Sequence, residues 1–72
     1  MLEHLRALRE DQDLSQQDMA QLLNVHQTTY SDYELGRLNI PISSLLTLAS
    51  FFHTSVDYLL GLTDVREPYP RK

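Results

Sequence analysis

The sequence predicts an all-α fold, a compact five-helix domain. Three observations predict it. No run alternates apolar and polar residues for long enough to make a strand, whereas five stretches space their apolar residues three or four apart. Residues that start or stop helices separate those stretches: Ser15, Asn24, Gly36, Pro41, Ser55 and Gly61. The 72-residue chain has no cysteine, so neither a disulfide framework nor a thiolate zinc site braces it, and a core of packed helices is left as the stabiliser.

The first helix is expected over residues 2–10, with Leu2, Leu5, Leu8 and Arg9 on one face and Glu3, Arg6 and Glu10 elsewhere. The run "DQD" ends it, and Leu14 folds back onto the core. Ser15 opens the second helix, where "SQQD" has the form of a capping box with Asp18 in the place usually held by Glu or Gln. Met19, Leu22 and Leu23 make its inward face, with the small Ala20 among them. Asn24 tolerates the left-handed conformation needed to leave a helix sharply. Val25 then plugs the core, and His26 starts a third helix whose Tyr30, Tyr33 and Glu34 share a face until Gly36 stops it. Pro41 fits the first turn of the fourth helix, where Leu45, Leu48, Ala49 and Phe52 form the most regular amphipathic pattern in the chain. The last helix starts at Ser55, includes Val56, Tyr58, Leu59 and Leu60, and stops at Gly61. One domain is therefore expected over residues 1–62, and residues 63–72, with two prolines and little periodicity, form a mobile tail.

Ten acidic against six basic side chains give a net charge of −4, opposite in sign to most nucleic-acid-binding domains. The charge is polarised. Glu3, Glu10, Asp11, Asp13 and Asp18 lie in the first quarter, Arg66, Arg71 and Lys72 lie at the end, and the middle is sparsely charged. No apolar run approaches the ~20 residues of a membrane span. No charged-then-apolar leader opens the chain, which predicts a cytoplasmic protein.

Residues 16–37 hold the functional signal. Two helices joined by about three residues around Asn24, with Ala20 packed inside the first, form a helix-turn-helix. The stretch "LSQQDMAQLLNVHQTTYSDYELGR" resembles the lambda-repressor-like, Cro-type helix-turn-helix domains of the Xre family. The resemblance rests on Leu14, Ser15, Gln16, Met19, Ala20, Leu22, Leu23, Val25, Tyr33, Glu34 and Gly36. It continues through "IPISSLLTLASFFHTSVDYLLG", which looks like the family's fourth and fifth helices, and so spans residues 2–62. Asn24 replaces the commoner Gly, Tyr30 replaces an aliphatic residue, and Thr54 replaces a larger apolar one, which is expected to loosen the last turn.

With Tyr30 and Glu34 inward, the opposite face of the third helix carries Gln27, Thr28, Ser31 and Asp32. Set N-terminus first into a major groove, Gln27 and Thr28 reach furthest toward base edges. A Gln amide can bond adenine N6 and N7 together, and a Thr offers a hydroxyl or a methyl for thymine. Asp32 either accepts from a cytosine amine or repels the wrong DNA; the residues alone leave both open. Phosphate contacts need donors rather than charges. Gln16 and Gln17 supply them at the second helix's N-terminus, and His26, Thr29, Tyr33, Arg37 and Asn39 resemble the family's backbone-contacting positions. The resemblance also implies that Arg9 pairs with the buried Glu34, a structural role.

The resemblance implies a bacterial or phage-encoded, nucleoid-associated repressor that binds double-stranded DNA as a homodimer on a pseudo-palindromic operator, with half-sites ~34 Å apart. Tyr58, Leu59, Leu60 and Leu62 are the expected dimer surface, because so short a helix cannot bury them all internally. The alternative is an antitoxin-like or adaptor protein that chiefly binds another protein through its acidic surface. An enzyme is not expected. His4, His26 and His53 are scattered without metal-ligand spacing, and the six serines lack a nucleophile's context. Tyr30, Tyr33 and Tyr58 read as packing aromatics. No catalytic residue, metal, cofactor or small-molecule substrate is expected.

Overall fold

The computed structural model describes residues 1–68; residues 69–72 of the expected tail lie outside them. Five helices follow in order: α1 Glu3–Asp11, α2 Gln16–Leu23, α3 Gln27–Leu35, α4 Ile42–Phe51 and α5 Val56–Leu59. The described residues contain no strand. Every helix contributes to a single core of Leu5, Leu8, Met19, Ala20, Tyr30, Tyr33, Leu48, Ala49, Phe52 and Leu59. Leu5, Leu48 and Leu59 are fully enclosed, each worth about 1.5–3 kcal/mol of burial.

All five helices end the same way. Asp13, Asn24, Gly36, His53 and Gly61 each adopt positive φ. The next N–H then bonds to the carbonyl five residues back: Leu14 to Arg9, Val25 to Ala20, Arg37 to Asp32, Thr54 to Ala49 and Leu62 to Asp57, at 2.9–3.1 Å. This Schellman-type closure turns the chain in the fewest residues while pairing carbonyls that a helix end leaves open. Only two of the five turns use glycine. Asp and His tolerate the left-handed region through local polar contacts better than branched residues do, so their turns carry no glycine signal in the sequence.

The starts are as specific. At α2 the Asp18 N–H donates to Ser15 Oγ at 3.0 Å, and the Ser15 N–H donates to Asp18 Oδ2 at 2.8 Å. The capping box is thus complete, and the Ser15 backbone N–H, followed by the Ser15 side chain, holds the Asp18 carboxyl below the usual range. A carboxyl whose folded pKa lies below its unfolded value stabilises fully above that value, so the cap weakens only as pH falls below about 3.8. Ser55 caps α5 by accepting from the Tyr58 N–H at 3.1 Å. Pro41 stands one residue earlier than expected, as the N-cap of α4 rather than inside its first turn.

Three expectations need correction. Leu22 is 38% exposed, because α2 turns it toward α4's outer side while Met19 and Ala20 fill the core. Thr54 is buried rather than loosening, and its hydroxyl donates to the Arg66 carbonyl at 2.6 Å, holding residues that follow α5 against the domain. Leu59 is wholly inside the core and so is unavailable to a partner.

His4 also does more than sit at the surface. Its Nδ1–H donates to the Tyr58 carbonyl at 2.7 Å, and its ring stacks on Tyr58 with centroids 4.1 Å apart. Its Nε2 lies 3.6 Å from Asp64. One side chain thereby joins α1 to α5.

Tyr30 is the core's exception. Its hydroxyl is buried with no partner in hydrogen-bonding geometry. Burial, then the neighbouring Glu34 carboxylate, pushes its pKa far above the ordinary phenol value. Tyr30→Phe removes an unpaired polar atom and keeps the ring, so stability is expected to hold or rise by up to about 1 kcal/mol in thermal unfolding. A lowered Tm would show that the hydroxyl is paired in solution.

Candidate nucleic-acid interface

α3 is positioned from below. Arg9 on α1 sends Nε to Glu34 Oε2 at 2.7 Å and Nη2 to Oε1 at 3.3 Å, a two-point grip on α3. Its third donor, Nη1, meets the Leu14 carbonyl at 2.8 Å, tying in the α1–α2 turn. The two side chains are 11% and 4% exposed, and the bond to Glu34 raises the Arg9 pKa further. The Leu2 N–H adds a 2.7 Å bond to the Glu34 carbonyl. The expected ion pair is therefore present, and it fixes α3 against α1 through charge and backbone at once.

From the other side, α2 meets α3 through the sharp turn at Asn24 (φ 57°, ψ 46°). His26 is the N-cap of α3 by backbone, but its side chain makes no cap bond. With Tyr30, Tyr33 and Glu34 buried, the outer face is left to the predicted residues. Gln27, Thr28 and His26 are exposed, while Thr29, Ser31 and Asp32 are half-buried. Gln17 is exposed and Gln16 half-buried at the start of α2, where the cap occupies the Asp18 amide and leaves those of Gln16 and Gln17 ahead of it. Arg37 and Asn39 are exposed beyond the end of α3. Tyr33 is only 6% exposed, so its first role is in the core and little of it remains for an external contact.

One relationship escaped the sequence. Asp32 Oδ1 lies 4.0 Å from Arg37 Nη1. A spacing of five residues does not bring side chains together on a continuous helix. It does so here because the left-handed Gly36 returns Arg37 over α3, with the Arg37 and Leu38 N–H groups both on the Asp32 carbonyl at 2.9 and 3.3 Å.

Among the other expected residues, Tyr58 is half-buried against His4, while Leu60 and Leu62 are 38% and 73% exposed. A second apolar surface, absent from the expectations, groups Leu22, Leu46 and Phe51 between α2 and α4. No described helix is long and apolar enough to cross a membrane.

This geometry agrees with the relatives. A family model described as helix-turn-helix matches residues 5–59. The chain is 35% identical over 66 residues to the HTH-type transcriptional regulator YobD of Bacillus subtilis, covering 92% of this chain and 59% of YobD. It is 34% identical over 70 residues to the HTH-type transcriptional regulator AnsR of the same organism, covering 97% of this chain and 60% of AnsR. Control protein C.SmaI of Serratia marcescens is 33% identical over 60 residues, covering 83% and 71%. A solved structure of a transcriptional regulator from Listeria innocua superposes with a TM-score of 0.78 at 34% identity, covering 97% of this chain and 64% of that one. The chain thus spans about 60% of the length of these Bacillus relatives. With the match running from α1 to α5 and taking in the turn at Asn24, the chain belongs to the Xre-type helix-turn-helix family of transcriptional regulators.

Proposed function

We propose that this chain is a sequence-specific double-stranded DNA-binding domain that regulates transcription by repression, reading the major groove with α3. The observation that carries the reading is an α3 locked by the buried Arg9–Glu34 pair while Gln27 and Thr28 stand exposed at its first turn. A reading helix must hold its polar side chains at a fixed angle, and a buried bidentate pair supplies that rigidity. Phosphates would be met by the amides of Gln16, Gln17 and Asn39, the Thr29 hydroxyl and the His26 imidazole, with Arg37 as the cation. Binding by so few cations is expected to depend only shallowly on salt. Bound over a promoter, such a domain represses by occlusion.

A homodimer on a pseudo-palindromic operator in the bacterial nucleoid completes the proposal, since one small domain with so few cations cannot outcompete nonspecific sites. Leu60 and Leu62 are the exposed remainder of the expected dimer surface. Selection of binding sites from random duplex DNA tests the whole reading. The expected product is an inverted repeat with half-site centres ~34 Å apart. Failure to enrich any sequence, with a stoichiometric protein partner recovered instead, would favour the adaptor role. On the enriched duplex, Arg37→Ala is expected to weaken binding to all sequences alike; a changed base preference would contradict its backbone role.

A further inference from the structure

Asp32 shares the outward face of α3 with Gln27, Thr28 and Ser31, which makes it look like a base reader. Its surroundings point elsewhere. We propose that Asp32 reads no base and acts through Arg37, as the counter-ion that holds the interface's cation back and sets how tightly the domain grips any DNA. The inference rests on the DNA-binding function proposed above.

The argument starts from the cations. The described residues hold four, all arginines. Arg9 is consumed inside the fold by Glu34. Arg6 lies 3.5 Å from Glu10 on α1. Arg66 belongs to the segment after α5, where its carbonyl receives Thr54. Arg37, just beyond the end of α3, is therefore the cation beside the outward face of that helix, and its side chain is 73% exposed.

The Gly36 turn decides what Arg37 faces. Both N–H groups beyond the turn bond to the Asp32 carbonyl, so the backbone, and not only charge attraction, keeps residue 37 over residue 32. At 4.0 Å the two side chains are in ionic contact without a short hydrogen bond, and Asp32 is still 30% exposed. An exposed pair of this kind is worth little by itself, so a phosphate can draw Arg37 away. Asp32 cannot follow or retreat, because it sits within α3. A phosphate approaching Arg37 thus meets a fixed like charge close by. That penalty is the same for every sequence, since every duplex presents the same phosphates. It lowers nonspecific grip and leaves the base contacts of Gln27 and Thr28 a larger share of the binding energy.

The test is binding of the full chain, the Asp32→Asn variant, the Arg37→Gln variant and the double variant. Each is measured on the enriched duplex and on an unrelated one across a salt series. Asp32→Asn keeps the size and one acceptor oxygen at that position and removes the charge. It is expected to tighten both duplexes by the same factor, about two- to fivefold. The plot of log K against log salt should steepen by up to about 0.9. Both effects should vanish in the Arg37→Gln background. Weakening confined to the enriched duplex would make Asp32 a base reader and overturn the proposal. Unchanged binding, or tightening that survives loss of Arg37, would overturn it equally. If the unmodified chain prefers no duplex, the DNA-binding reading falls and this role with it; if it does discriminate, an unresponsive Asp32→Asn sinks this role alone.

Discussion

Glu34→Ala is expected to destabilise the domain by about 3–5 kcal/mol, because it strands the Arg9 guanidinium in a site almost closed to water. A chain of this length has a total stability of only about 4–11 kcal/mol, so the loss removes from about a quarter of that margin to all of it. The loss exceeds that of an ordinary surface pair for a definite reason. Arg9 spends two donors on Glu34 and one on the Leu14 carbonyl, so the guanidinium loses two of its three partners at once and could turn to solvent only by giving up the third. Urea unfolding followed by circular dichroism measures the effect. The double replacement Arg9→Met with Glu34→Leu should recover much of the loss, since removing both charges leaves no charge stranded and only the Leu14 carbonyl short of a donor. A single variant with an unchanged midpoint would show that the pair is not buried in solution.

The second large effect concerns recognition. Gln27→Ala and Thr28→Ala are expected each to remove about 1–3 kcal/mol of discrimination between the preferred base and its competitors. Together they should leave binding to the enriched and unrelated duplexes nearly equal. Both residues are exposed and neither bonds to the core, so helicity and Tm should stay within a small margin of the unmodified chain. Competition binding with single-base-pair variants of the enriched site measures the change. Full discrimination retained by the double variant would remove these residues from the readers.

Much of this was legible because local rules and tertiary packing agree. The capping box at Ser15, the left-handed Asn24 and the stop at Gly36 are local chemistry, and each acts as its residue type dictates. The inward set on α3 followed from its spacing, and the Arg9–Glu34 pair from resemblance. Leu22 and Leu59 were misread for one reason. Periodicity gives the side of a helix on which a residue lies but not how far the neighbouring helices extend over it. Leu22 meets the edge of α4 and stays exposed, while Leu59 on a four-residue helix is fully covered. Thr54 depended on chain that returns to it from Arg66, a contact twelve residues away that no local pattern announces.

The sequence by itself determined five short helices, the tight turn between the second and third, and which polar residues α3 could offer. Hydrogen-bonding types and apolar spacing act over three or four residues, and both are written in the chain. Tertiary structure alone decided which of those residues are accessible, that His4 clasps Tyr58, and that Arg37 lies over Asp32. Those facts depend on where a left-handed turn sends the chain next and on what another helix covers.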